Sequence, residues 1–262
     1  MSTQTFTTDV FSVDTILDWQ TFNQEKASAR SSALDSVGLD ATAGPDFQAA
    51  DGGVAAADAT PVIIPGVAGL ILGTEGADTI DGTTGVDVIL AFGGNDTING
   101  GGGDDIISGG SGDDLIYGDG QLYGDDGNDD IHGGDDAFIV DYLYGGAGND
   151  VLHGGQGNDG LNGGAGDDIL YADPASSDPS NPINGYGDAF IFGNGWGHDQ
   201  VMDFEDGIDV FDMSQVIGLL GYSQLTVAAS GDDTLISYGN DTILVVGVES
   251  TAIDAGDFQF LV

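Results

Sequence analysis

A single aliphatic residue recurs every nine positions through the middle of the chain, and glycine or polar residues fill the intervals. Between residues 73 and 171 the repeated order is G-G-x-G-x-D-x-(Ile/Leu)-x, as in GGGGDDIIS at Gly100–Ser108. The first six positions predict a tight turn, because glycine tolerates positive φ and close backbone approach. The last three predict a very short strand, whose middle residue points away from its two neighbours.

The aliphatic positions predict a thin, continuous core. Two copies of the repeat make one coil, so that turns eighteen residues apart stack on the same edge and the aliphatic side chains lie above one another. Burying each side chain stabilises the fold by about 1.5–3 kcal/mol. The predicted core residues are Ile80, Ile89, Ile98, Ile107, Ile116, Ile131, Leu152, Leu161 and Leu170.

Two irregular units interrupt the period. One has six residues, GDGQLY at 118–123, and the other has twelve, GGDDAFIVDYLY at 133–144. If each counts as one repeat, both defects fall on a single edge, and the other edge keeps a complete row of aspartates. The uninterrupted row is Asp78, Asp96, Asp114, Asp129, Asp150 and Asp168, and the other is Asp87, Asp105, a gap, Asp141 and Asp159.

The charge of the chain requires an external cation. Its 45 acidic residues face only Lys26 and Arg30, for a formal charge of −43. Stacked carboxylates about 4.8 Å apart repel by roughly 1 kcal/mol in water and about 3.5 kcal/mol at an effective dielectric of 20. A divalent ion between turns reverses this interaction, and all-oxygen ligands favour calcium over zinc or copper. Magnesium suits the site less, since it releases its waters reluctantly, and the acidic charge excludes nucleic acid as a partner.

The nonapeptide resembles the RTX (repeats-in-toxin, hemolysin-type) calcium-binding family. The resemblance implies an all-β, right-handed parallel β-roll that binds several calcium ions. The segments GDAFIF (Gly187–Phe192), GIDVFDMS (Gly207–Ser214) and the hairpin-like Asp232–Val248 resemble the closing domain of serralysin-type proteins. We therefore expect metal ligands at Asp78, Asp87, Asp96, Asp105, Asp114, Asp129, Asp141, Asp150, Asp159, Asp168, Asp199 and Asp209.

Three regions follow from these patterns. Residues 1–72 form an N-terminal extension with a predicted helix within Val10–Leu34, residues 73–171 form the roll, and residues 172–262 form a C-terminal β capping domain. The apolar stretch Pro61–Leu72 has two interpretations. It either covers the open end of the roll, where strand edges would be exposed, or docks onto another molecule.

The sequence also bears on where the protein acts. It has no cysteine, its N-terminal residues lack the charged and apolar regions of a cleaved export signal, and its most apolar run is too short for a transmembrane segment. The RTX resemblance implies an uncleaved C-terminal signal that a type I secretion channel reads. We therefore expect a secreted protein that is extracellular or attached to the cell surface.

Catalytic signatures are missing from the sequence. It contains neither the H-E-x-x-H motif of zinc proteases nor the G-x-S-x-G elbow of lipases. Its histidines are His132 and His153, at the outward ninth position of a repeat, and His198, in a turn. We predict no catalytic residue, no enzymatic activity and no cofactor besides calcium.

The sequence thus favours a secreted calcium-binding structural protein of a cell-surface layer, an extracellular matrix or an adhesive filament. We expect it to fold, and to assemble with itself, when calcium binds. One alternative is a soluble secreted binding module. The other is a secreted polysaccharide-active enzyme, since paired carboxylates are abundant.

Overall fold

The computed structural model describes residues 62–63, 69–134, 139–172 and 187–261, almost entirely as short strands and turns. In this part of the chain the strands join one 18-stranded sheet. They are β1 (Val62–Ile63), β2 (Leu70–Leu72), β3 (Thr79–Asp81), β4 (Val88–Leu90), β5 (Thr97–Ser111), β6 (Leu115–Asp126), β7 (Asp130–His132), β8 (Tyr142–Ala147), β9 (Val151–His153), β10 (Gly160–Ala165), β11 (Ile169–Tyr171), β12 (Ala189–Ile191), β13 (His198–Met202), β14 (Val210–Asp212), β15 (Thr226–Ser230), β16 (Asp233–Tyr238), β17 (Asp241–Val245) and β18 (Phe258–Gln259). Two 3₁₀ helices lie at Tyr222–Gln224 and Ala255–Asp257.

The strands form a parallel β-solenoid of about seven turns, which confirms the predicted all-β parallel roll. The chain alternates between two stacks of parallel strands, and β5 and β6 run through a turn and supply one rung to each stack. The β2 stack contains β2, β4, β5, β6, β8, β10, β12, β14 and β18. The β3 stack contains β3, β5, β6, β7, β9, β11, β13 and β17.

The core between the stacks is the one that the nine-residue period predicts. All nine predicted core side chains are at most 1% exposed. Leu122 and Leu143, in the two irregular units, fill the same position and are fully buried. Towards the C-terminus the residues in register change in size, with the larger Phe190 beside Leu161 and the smaller Val201 beside Leu170.

The two irregular units compensate for each other. Leu122 pairs with Ile107 on one side and with Leu143 on the other, so the short and long units each supply one rung. Along the β3 stack the spacing between stacked aspartates becomes 15 residues and then 21, around a regular value of 18. The prediction that each unit counts as one repeat is therefore confirmed.

Strands at both ends continue the sheet with antiparallel pairs. At the N-terminal end β1 pairs antiparallel with β2, so part of the Pro61–Leu72 stretch covers this strand edge. At the other end β17 joins β13 in parallel and forms an antiparallel hairpin with β16, which pairs in turn with β15. The hairpin expected within Asp232–Val248 is present.

The described residues all belong to one compact unit, Ala57–Val262. The helix expected within Val10–Leu34 lies outside the described residues. The parallel stacks continue past residue 172, because β12 pairs with β10 and β13 with β11, and the domain boundaries at 72 and 171 stay predictions. Among the described residues, no helix is long and apolar enough to cross a membrane.

Candidate calcium sites in the turns

The motif aspartates form two rows along the solenoid, one beside each stack. All twelve predicted ligands lie in these rows, and every side chain is at most 8% exposed. The row beside the β3 stack contains Asp78, Asp96, Asp114, Asp129, Asp150, Asp168 and Asp199. The row beside the β2 stack contains Asp87, Asp105, Asp141, Asp159, Asp188 and Asp209.

One oxygen of each carboxylate ties successive coils together. The Oδ1 atom of Asp96 accepts a hydrogen bond from the backbone N–H of Asp78, at 2.7 Å, and the Oδ1 of Asp114 accepts from the N–H of Asp96, at 2.8 Å. The same bond recurs along both rows, at up to 3.0 Å. Each aspartate thus donates to the next coil through its backbone and accepts from the previous coil through its side chain.

The second oxygen is buried without a hydrogen bond in the regular repeats. An ionised oxygen in this position has lost its water, and only a cation or a proton can compensate it. The Oδ2 atoms in this state belong to Asp96, Asp105, Asp114, Asp129, Asp150 and Asp168. They provide the strongest sign of a metal site in the described part of the chain.

The environment of these carboxylates opposes their ionisation. Burial and, to a lesser extent, the stacked neighbouring carboxylate raise the pKa of Asp96, Asp129 and Asp150 to about 7. Burial likewise raises the pKa of Asp105 to about 6 and that of Asp199 to about 8. Backbone N–H donors work in the other direction, since they stabilise the charged form.

Glycine leaves room for the second oxygen. A Cβ atom at Gly109, the first residue of its repeat, would overlap the Oδ2 atom of Asp114. The same overlap recurs between Gly145 and Asp150, and a Cβ at Gly100 would lie 2.5 Å from the Oδ2 of Asp105. A side chain at the first motif position would therefore fill the space where a metal ion would meet the carboxylate.

Four of the predicted ligands use their second oxygen differently. The Oδ2 of Asp141 accepts from the backbone N–H of Gly134, at 3.0 Å, and its Oδ1 accepts from Gly120, at 2.6 Å. In Asp78, Asp87 and Asp209 the Oδ2 accepts from the N–H four residues earlier, at 2.5–2.8 Å. These four lie at the ends of the rows or in the long irregular unit.

The gap in the row beside the β2 stack has a backbone cause. Gly120 pairs with Asp105 at the position where an aspartate would stand, and its φ is +112°. A Cβ at Gly120 would lie 2.4 Å or 2.6 Å from backbone atoms of Asp105 unless the chain moved. The six-residue unit therefore keeps the rung and the core leucine but excludes the side chain.

Asp188 is a row member that the sequence reasoning missed. It is 1% exposed, its Oδ1 accepts from the N–H of Asp159 at 2.7 Å, and its own N–H donates to the Oδ1 of Asp209 at 2.9 Å. The signal was present in Gly187–Ile191, GDAFI, which keeps the glycine, aspartate and core positions of the repeat. Phenylalanine replaces the usual isoleucine or leucine there, and the copy does not fit the strict pattern.

The fold and its turns define a parallel β-solenoid whose coils are joined through buried carboxylates. The RTX calcium-binding nonapeptide repeat matches the chain in four copies, at residues 72–107, 90–121, 121–137 and 140–172. Residues 72–137 and 140–172 therefore carry RTX calcium-binding nonapeptide repeats, as the sequence predicts. No curated protein matches the chain.

Three solved structures show low similarity to this chain. The extracellular lipase LipA from Serratia marcescens is 20% identical with a TM-score of 0.37, covering 73% of this chain. This chain spans 40% of the lipase. Two repeat subunits of the Azotobacter vinelandii mannuronan C5-epimerase, AlgE6R2 and AlgE6R3, are each 25% identical. The match to AlgE6R2 has a TM-score of 0.31 and covers 56% of this chain and 91% of that subunit. The match to AlgE6R3 has a TM-score of 0.23 and covers 75% of this chain and 86% of that subunit.

Proposed function

We propose that this chain is a secreted structural protein that folds when calcium enters its aspartate rows. The observation that carries the proposal is the set of six buried Oδ2 atoms without hydrogen bonds. Carboxylate and backbone carbonyl oxygens are the ligands that calcium prefers. The row aspartates of the regular repeats would hold the ions, and the glycines at the first motif position leave the space for them.

Calcium would supply the charge that the chain lacks. With a formal charge of −43 and carboxylates in contact from coil to coil, the metal-free roll repels itself. Each bound ion neutralises two charges inside the roll and screens the carboxylates above and below it. Extracellular calcium modules bind with dissociation constants of about 10⁻⁴–10⁻³ M. The chain would therefore stay unfolded before export and fold outside the cell.

Export through a type I channel and a place in a surface layer, matrix or filament are part of this proposal. A rigid solenoid that orders on calcium binding suits a structural element. The proposal includes no catalysis, because the row carboxylates already hold neighbouring coils together. A soluble binding module and a polysaccharide-active enzyme are the outcomes that the experiments below would reveal instead.

Circular dichroism with and without calcium tests the folding mechanism. We expect little β-structure in a chelator and a cooperative gain on adding millimolar calcium, with several ions bound per chain in equilibrium dialysis. A chain that is fully folded in the chelator would overturn the calcium mechanism. A control titration with magnesium should restore much less structure, because magnesium retains its waters.

Light scattering and electron microscopy test the structural role. We expect the full-length protein to assemble in millimolar calcium, as bound ions reduce the repulsion between copies, and a variant without residues 1–60 tests the contribution of the N-terminal extension. A protein that stays monomeric at high concentration in calcium would instead favour the soluble binding module. A screen on polysaccharides would expose an enzyme.

A further inference from the structure

A column of four aromatic rings lies on the outer side of the β3 stack. Tyr117, His132, His153 and Tyr171 occupy the last strand position of successive rungs, and strand pairing sets them in register. Their ring centroids are 4.5–4.6 Å apart, and the two histidine planes differ by 4°. The two imidazoles are therefore stacked face to face, although they lie 21 residues apart in the sequence.

One carboxylate faces both imidazoles. Asp130 lies two residues before His132 on the same strand, and therefore on the same outer side. Its Oδ1 is 2.9 Å from the Nε2 of His132 and 4.0 Å from the Nε2 of His153. One ligand atom from each of the three side chains lies within 4.8 Å of the others. The two residues that pair with Asp130 on the neighbouring strands, Leu115 and Val151, are aliphatic.

We propose that Asp130, His132 and His153 form a second kind of metal site, which binds one transition-metal ion of the Zn²⁺ class. Two imidazole nitrogens and one carboxylate oxygen suit zinc, copper or nickel. Calcium prefers oxygen ligands alone, so this site differs in chemistry from the aspartate rows. The chain would thus carry two metal classes, one inside the turns and one on the outer surface.

The distances are close to those that zinc needs. Zn–N and Zn–O bonds of about 2.0–2.1 Å in a tetrahedron place ligand atoms about 3.3 Å apart. The two measured separations from the Asp130 oxygen, 2.9 Å and 4.0 Å, lie on either side of this value. A shift of His153 towards Asp130, with a tilt of the two imidazole rings out of their parallel stack so that both Nε2 atoms face one point, would complete the geometry.

The surroundings leave access for the ion and a fourth ligand. The side chains of Asp130, His132 and His153 are 51%, 29% and 36% exposed, although the Oδ1 atom of Asp130 itself is buried. The flanking tyrosine rings hold both imidazoles on the same outer side of the stack. The site is also separate from the rows, because Asp129 points into the turn and is 2% exposed.

Zinc titration of the calcium-loaded protein tests the site, because saturating calcium occupies the acidic turns first. By calorimetry we expect one zinc per chain for the native protein. Binding should weaken at least tenfold in Asp130→Asn and disappear in the double variant His132→Gln/His153→Gln. The matched control is His198→Gln, because His198 lies elsewhere, with its Nδ1 3.0 Å from the Thr242 hydroxyl. It should bind zinc like the native chain.

Nitrogen NMR of the native chain gives a second readout that does not depend on the variants folding. Zinc should shift the imidazole signals of His132 and His153 and leave that of His198 in place. An isotherm that the double variant does not change would overturn the proposal, as would a zinc shift confined to His198. Circular dichroism in calcium checks that each variant retains the roll.

Discussion

The two aspartate rows share the same burial and the same coil-to-coil hydrogen bond, but individual aspartates within them differ in their second oxygen. Beside the β3 stack, Asp114 has an Oδ2 that is buried without a hydrogen bond. Beside the β2 stack, Asp141 is as deeply buried, and its Oδ2 already accepts the N–H of Gly134. The comparison teaches that the position of an aspartate in the motif places it in the row, whereas the local turn decides whether it has an oxygen left for a metal.

The gap beside the β2 stack reinforces this distinction. The backbone N–H of Gly120 still donates to the Oδ1 of Asp141. The coil-to-coil hydrogen bond is therefore present even where the row lacks a carboxylate. Structural continuity and metal binding are therefore separate properties of a row. The row beside the β3 stack combines them in consecutive coils, at Asp96, Asp114, Asp129, Asp150 and Asp168.

Asp114→Asn against Asp141→Asn is the sharpest test of the comparison, and we expect the largest effect from it. Asparagine keeps an oxygen for the coil-to-coil bond and replaces the second oxygen by an NH₂ group. At Asp114 the change removes a metal ligand, and a charged interaction of about 1.5–3 kcal/mol corresponds to a calcium midpoint raised roughly tenfold or more. At Asp141 it removes the bond from Gly134, and we expect a smaller change in midpoint.

Equilibrium dialysis at saturating calcium separates the two effects. Asp114→Asn should bind fewer ions per chain than the native protein, whereas Asp141→Asn should bind the same number. Equal losses of bound calcium in both variants would show that the second oxygen does not distinguish Asp114 from Asp141. The corresponding alanine variants should preserve this order of calcium midpoints.

A pair of glycine substitutions tests the space beside the second oxygen. In Gly109→Ala the new methyl group would overlap the Oδ2 of Asp114, whereas in Gly102→Ala the nearest atom would be 3.8 Å away. Overpacking typically costs about 1–3 kcal/mol, and at this position it also obstructs the metal. We expect Gly109→Ala to lower the melting temperature and raise the calcium midpoint.

Gly102→Ala should leave both quantities close to their native values. Its neighbours in the same turn are subject to a different constraint, since Gly103 has a φ of +115°. Similar melting temperatures for Gly109→Ala and Gly102→Ala in calcium would show that the space beside Asp114 is not needed.

The sequence period predicts most of the fold and the rows for a physical reason. A strand of three residues between tight turns has one inward position, so a fixed spacing determines both the core and the register. The compensation of a six-residue unit by a twelve-residue unit also follows from counting repeats, and it places His132 and His153 on adjacent rungs. Their contact with Asp130 is then a consequence of strand pairing.

Other features depend on local geometry that spacing does not encode. Asp141 fits the motif, but the long unit turns the N–H of Gly134 towards its second oxygen. Asp188 belongs to a coil whose core residue is aromatic, since Phe190 pairs with Phe211 on the next rung. The repeat pattern allows only Ile or Leu at the core position. The coil that contains Phe190 therefore does not match the pattern.

The pH dependence of the metal-free chain should give the smallest effect, and it follows from the protonation of the row aspartates. Burial raises the pKa of Asp129 and Asp150 to about 7 in the folded roll, but that of Asp105 and Asp141 only to about 6. The unfolded chain keeps pKa values near 3.9 for these carboxylates.

Between about pH 4 and pH 7 the folded roll therefore binds more protons than the unfolded chain, and its stability rises as the pH falls. In calcium-free buffer we expect β-structure, followed by circular dichroism, to increase from pH 7.5 to pH 5. Asp129 and Asp150 should take up protons before Asp114 of their own row and Asp105 of the other row, whose pKa values burial raises only to about 6. The unfolded chain and the calcium-loaded roll both carry ionised carboxylates in this range, so protons can replace calcium only in the metal-free state. A metal-free chain that loses structure on acidification over this range would contradict the burial of these carboxylates.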